Sequence, residues 1–172
     1  MKKGIIIAFC ILAVMITACK KPVEPTPEPT NYAPDYVGSY LGSFTLSITS
    51  MNHQPQTLAL PFDGITMDIT EGEEINSITA TVTVDNESHQ TTGTATADKA
   101  DFDTVHLVID KPDQHYKFNL DLKMEGLRAD STMTISGSFS GNGNASFPTP
   151  QGMVEQEFEE LSGTLSGILV KQ

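Results

Sequence analysis

The chain of 172 residues has no tryptophan, and its two cysteines, Cys10 and Cys19, both fall near the start. Everything after Cys19 is therefore without a disulfide and must be held by packing alone. Basic residues are scarce, with 10 Lys and Arg against 22 Asp and Glu and a net charge of −12. Such a balance argues against nucleic acid as a partner. Metal-site spacing is missing too. His53, His89, His106 and His115 form no i, i+4 or finger-like pair, and they read as solvent-facing strand or loop side chains. Asp98, Asp101 and Asp103 lack the glycine and distal glutamate of a calcium loop, so a solvated loop is expected there. No Gly-x-Ser-x-Gly elbow occurs. Gly141-Asn142-Gly143-Asn144 has no following Lys-Ser/Thr and reads as a turn, not a phosphate loop. No catalytic, metal or cofactor site is expected, and the chain reads as a non-enzyme.

What is present begins with a targeting pattern. Lys2 and Lys3 precede an uncharged, apolar run from Gly4 to Ile16. A spanning helix needs about 20 residues, so this shorter run suits the apolar region of a signal peptide. Ile16-Thr17-Ala18-Cys19 then places two small residues before a cysteine. This tetrapeptide resembles the lipobox of bacterial lipoproteins. The resemblance implies cleavage after Ala18 and a diacylglycerol thioether and fatty acyl chain, such as palmitate, on Cys19. Two or more chains, at about 0.8 kcal/mol per buried CH₂, hold a protein stably on a membrane. Loss of Lys2 and Lys3 leaves 8 basic residues against 22 acidic ones, a charge near −14.

Three segments follow: a signal peptide at 1–18, the lipidated cysteine with a tether at 19–31, and one domain at 32–172. The tether, Lys20-Lys21-Pro22-Val23-Glu24-Pro25-Thr26-Pro27-Glu28-Pro29-Thr30-Asn31, is too rich in proline to build a core. As an extended spacer at about 3.1 Å per residue it reaches roughly 35 Å. Lys20, rather than aspartate, after the cysteine favours the outer membrane over the inner one. The sequence leaves open whether the domain faces the periplasm or the outside.

The domain alternates with period two. Tyr36, Tyr40, Phe44, Leu46 and Ile48 sit on even positions and Ser39, Ser43, Thr45, Ser47 and Thr49 on odd ones, the pattern of a half-buried strand. Leu58 and Leu60 continue it, and the phase changes between Pro61 and Gly64 before Ile65, Met67 and Ile69; a bulge is expected there. Similar runs cover 78–84, 90–97, 105–109, 116–124, 133–139 and 161–169, with turn chemistry at Glu71-Gly72, Asp85-Asn86 and Lys111-Pro112-Asp113. About eight short-linked antiparallel strands are predicted, an all-β up-and-down barrel, with a β-sandwich as the alternative. Residues 151–161 fit either a short helix or part of a long last strand. Tyr40, Phe44, Phe118 and Phe139 are the candidate interior residues.

The lipobox, the proline-rich tether, the opening Tyr36-Val37-Gly38-Ser39-Tyr40-Leu41-Gly42-Ser43-Phe44 and the last run Leu161-Ser162-Gly163-Thr164-Leu165-Ser166-Gly167-Ile168 together resemble the calycin-like, lipocalin-like β-barrel lipoproteins of Bacteroidetes. The likeness covers residues 36–172, without the Gly-x-Trp of true lipocalins. It implies a barrel but no particular activity. Two functions are expected from the chain: a membrane-anchored barrel binding a small apolar or amphipathic ligand, or a structural lipoprotein whose outer surface binds an envelope protein or glycan.

Overall fold

Alternating apolar and polar residues resolve into eight antiparallel strands in the computed structural model, which describes residues 28–172. The expected signal peptide at 1–18, the expected lipidation site Cys19 and residues 20–27 of the expected tether lie outside the described residues. The strands are β1 (Gly38–Met51), β2 (Gln54–Glu71), β3 (Ser77–Val84), β4 (Glu87–Ala95), β5 (Lys99–Lys111), β6 (Tyr116–Ala129), β7 (Thr132–Thr149) and β8 (Gly152–Lys171). Each pairs with the next, and β1 pairs with β8, which closes an up-and-down barrel. Closure leaves no full-length sheet edge, and the sandwich alternative gives way. In β3, Ile78, Ala80, Val82 and Val84 point inward while the intervening residues stay partly exposed. The same alternation on every strand builds one continuous core. A fully buried aliphatic or aromatic side chain of this kind contributes about 1.5–3 kcal/mol.

Local chemistry sets the register. Asp85 and Asn86 both have positive φ (53° and 68°), as do Asn52 and His53 (45° and 63°), the backbone of two-residue hairpins whose twist matches the strands. The phase change in β2 is a bulge at Gly64: Asp63 pairs with Ser43 and Ile65 with Gly42. Burial accordingly moves from Phe62 to Ile65. At the closing seam Phe44 faces Gly167 and Ile48 faces Gly163. A Cβ on Gly163 would lie 2.1 Å from the Ser47 carbonyl oxygen and 2.5 Å from Cζ of Phe139. The glycine repeat in the last strand thus reflects close approach of neighbouring backbone and rings.

Several expectations need correction. Gly141-Asn142-Gly143-Asn144 is not a turn but the middle of β7. Its glycines make room, since a Cβ on Gly143 would meet the Lys117 carbonyl oxygen at 2.3 Å and the Phe118 ring at 2.4 Å. Tyr36 does not begin a strand; it ends a one-turn helix, α1 (Ala33–Tyr36). Residues 152–161 are strand throughout. Two β8 residues, Glu159 and Glu160, lie opposite the single Asn142, and this bulge separates buried Phe158 from buried Leu161 by three, which mimics helical spacing. The weak strand expected at 90–97 runs from Glu87 to Ala95. Asp101 and Asp103 lie in β5, not in a loop.

One end of the barrel is plugged where residues 28–32 lead in. Ala33 and Tyr36 of α1 are buried beneath the strand ends. The Tyr36 hydroxyl donates to the Thr96 carbonyl (3.1 Å), and that of Tyr40 donates to the Tyr36 carbonyl (2.8 Å). Two asparagines clasp the entering chain. Asn76 Oδ1 accepts from the Tyr32 N–H (2.6 Å), and Asn31 Oδ1 accepts from the Asn76 N–H (3.0 Å). The loops 72–76, 96–98 and 130–131 share this end, and the four hairpin tips occupy the other.

Burial pushes the phenols of Tyr36, Tyr40 and Tyr116 above the usual tyrosine range. In the folded barrel these groups hold their protons longer than in the unfolded chain. Their contribution is therefore fully present below pH ~10, the ordinary tyrosine value, and is lost as the pH rises through the raised values. Urea midpoints measured from pH 8 to 11.5 should stay level to about pH 10 and then fall. In the Tyr36→Phe/Tyr40→Phe/Tyr116→Phe variant that alkaline fall should shrink.

Candidate functional site

Tyr40 and Phe44 from β1, Phe118 from β6 and Phe139 from β7 all point into the barrel, each less than 8% exposed. The structure therefore brings all four interior candidates into one core. Phe44 lies against Phe62 with ring centroids 5.2 Å apart, and Phe118 stacks on Tyr116 at 5.1 Å. An apolar cavity bounded by Phe44, Ile65, Met67, Val82, Met124 and Leu169 holds about 20 Å³. A single water needs about 10–15 Å³, whereas pockets for small molecules run to roughly 300–1,000 Å³. The barrel interior is occupied by its own side chains, one of the two outcomes open to an eight-stranded barrel.

The wall is thinnest between β4 and β5, which pair only over Gly93–Ala95 and Ala100–Phe102. Beyond that stretch the Thr91 hydroxyl donates to the Asp103 carbonyl (3.0 Å), and Thr92 bonds the Asp103 carboxylate. At the hairpin end Lys111 Nζ meets Asp85 at 2.5 Å. His89 sits in this wall opposite Val82 on the inner face. Its Nε2 is enclosed without a hydrogen-bond partner, which corrects the expectation of a solvent-facing side chain. His106 is exposed and bonds Asp121 (2.9 Å), and His53 lies 3.1 Å from Glu160 at a hairpin tip. His115 follows a single 3₁₀ turn in left-handed backbone (φ 59°). The four histidines do not converge, and among the described residues no three His, Cys, Asp or Glu form a metal-binding group.

Beyond the end of β1, β7 and β8 continue as an arm. β1 ends at Met51 opposite Leu161, yet β8 begins at Gly152, so Gly152–Glu160 pair with β7 alone. The Glu159–Glu160 bulge marks the point of departure. Asn52, from the β1–β2 hairpin, caps it: its Oδ1 accepts from the N–H groups of Glu159 (2.9 Å) and Glu160 (3.2 Å), and its Nδ2 donates to the Glu157 carbonyl (3.3 Å). Past this clamp the arm shows Val154 and Phe147 on the face that continues the barrel interior. They are 51% and 43% exposed, with Phe147 set edge-on to buried Phe158.

The opposite face is polar. Lys117, Asn119, Asn142, Asn144, Glu157 and Glu159 line an open groove of about 490 Å³. Asn119 Nδ2 donates to Asn142 Oδ1 (3.1 Å), and Asn144 Nδ2 donates to a Glu155 carboxylate oxygen (2.9 Å). Amides and carboxylates aligned across three strands can bond a polar partner from one side. Glu155, Glu157, Glu159 and Glu160 crowd four carboxylates into six residues here, but the alternation of the sequence did not predict the arm. Its signal was an unusually long pair of alternating runs on either side of Pro150-Gln151.

No protein-family model matches the chain, and no curated protein matches it. Among solved structures it is similar to a multidomain protein including DUF1735 from Bacteroides ovatus, at 14% identity and a TM-score of 0.30. The match covers 78% of this chain and 50% of that one, so the chain spans about half that protein's length.

Proposed function

We propose that this chain is a lipid-anchored lipoprotein of the bacterial outer membrane, held through Cys19, that acts as a non-enzymatic interaction module. Its barrel is a rigid scaffold, and its outer surface binds an envelope protein or glycan. The packed interior supports this reading: the apolar cavity bounded by Phe44, Ile65 and Leu169 holds about 20 Å³, far below the roughly 300–1,000 Å³ of small-molecule pockets. Admitting a small ligand would mean displacing core aromatics, and emptying a single such site costs about 3–5 kcal/mol. The anchor rests on the Ile16-Thr17-Ala18-Cys19 motif and the proline-rich run behind it. Residues 28–32 enter at the plugged end, opposite the hairpin rim and the arm.

Native mass spectrometry of the full chain, purified in neutral detergent after incubation with envelope extract, tests the reading. The expected spectrum is the acylated mass with no extractable adduct. A discrete small adduct removed by organic solvent would overturn it in favour of a ligand-holding barrel. The Cys19→Ser variant should lose the acyl mass and leave the membrane fraction; retention of both would overturn the anchor.

A further inference from the structure

We infer that the unpaired edge of β8 over Met153–Glu157 accepts an extended cationic segment of an envelope protein as an added strand. The inference rests on the interaction reading above and names the partner class and the place. The register exposes the edge. The Ser146 N–H donates to the His115 carbonyl (2.8 Å) on the β6 side, so the backbone of Ser146 faces away from β8. In an antiparallel ladder its opposite residue then also faces away. That residue is Glu155, whose N–H and C=O therefore point outward. Met153, two residues earlier, repeats the arrangement opposite Pro148, which has no N–H to offer. Asn52 occupies the Glu157 carbonyl and marks where the free edge stops.

Unpaired edges template the pairing of other chains, and proteins commonly blunt them. β2 has such an edge, because its pairing with β3 begins only at Thr66. Over the preceding stretch it carries Pro55, Pro61 and the Gly64 bulge, all of which disrupt strand addition. The β8 edge has no proline from Gly152 to Glu160 and carries glutamates in their place. Among the described residues none of Glu155, Glu157 and Glu159 is ion-paired with a lysine or arginine. Carboxylates repel a second copy of this edge and attract a cationic strand, so they select between partners. The two faces extend the specificity: Glu155 and Glu157 project on one, Val154 and Phe147 on the other. A matching segment alternates lysine or arginine with aliphatic residues, as alternate side chains do in strand addition.

A fluorescent heptapeptide alternating lysine and valine is the probe, titrated by anisotropy against the full chain in neutral detergent. It is expected to bind, and to slow amide exchange at Met153 and Glu155. Glu155→Pro removes an outward N–H and should weaken binding at least tenfold with an unchanged thermal melt. The Glu155→Gln/Glu157→Gln variant should weaken it several-fold and flatten its salt dependence. A glutamate–valine peptide should not bind. Equal binding of the acidic peptide, equal affinity in both variants, or unchanged exchange at the two amides would overturn the site. A bare native mass combined with no peptide binding removes this inference alone. An extractable ligand removes the wider reading whatever the peptide does.

Discussion

Phe118→Ala is expected to destabilise the barrel by about 3–5 kcal/mol, the range for emptying a buried phenylalanine site. The ring is 2% exposed, stacks on Tyr116 at 5.1 Å and lies where a Cβ on Gly143 would otherwise sit. Its neighbours belong to strands hydrogen-bonded on both sides, so they cannot collapse far into the void. With a typical domain stability of about 5–15 kcal/mol, the loss should appear as a large drop in urea midpoint. Phe147→Ala provides the contrast. That ring is 43% exposed on the arm, and surface changes of this kind usually stay within about 0.5 kcal/mol. If the two variants lost similar stability, Phe118 would not be filling the barrel as described.

Gly163→Ala should cost far more than one methyl group normally does. The new Cβ would stand 2.1 Å from the Ser47 carbonyl oxygen and 2.5 Å from the Phe139 ring. The first obstacle is backbone, fixed between the β1–β8 and β1–β2 ladders. Overpacking costs about 1–3 kcal/mol, occasionally more, and the upper end is expected where no side chain can swing aside. Gly126→Ala is the matched control. Its nearest obstacles are Sδ and Cγ of Met133 at 2.6 and 3.1 Å, the pliant end of an adaptable side chain, and a loss below about 1 kcal/mol is expected. Equal urea midpoints for the two variants would show that the seam is not closed by direct approach.

The barrel was legible because period-two alternation and turn residues are local signals, and Asp85-Asn86 and the Pro61–Gly64 phase change sit where the sequence places them. The interior aromatics were legible for the same reason: parity along a strand fixes the face. What failed was the reading of glycine. Gly141 and Gly143 looked like a turn because glycine permits one, but they serve neighbours on β6 that are distant in sequence. The region at 151–161 was ambiguous because a bulge imitates the helical repeat. The candidate site was least legible of all. An edge exists only when one strand outruns its neighbour, and that difference in length is a property of the assembled sheet.

The plugged end has a mechanical consequence. The chain passes from the Asn31–Asn76 clasp through α1 into β1, which is bonded to β2 on one side and β8 on the other. Tension applied through the preceding segment, with the far rim held, runs along β1 and nearly at right angles to its hydrogen bonds. Both ladders are then loaded in shear, many bonds at once, instead of being peeled one by one. A barrel loaded from this point resists being pulled apart by whatever grips its opposite end.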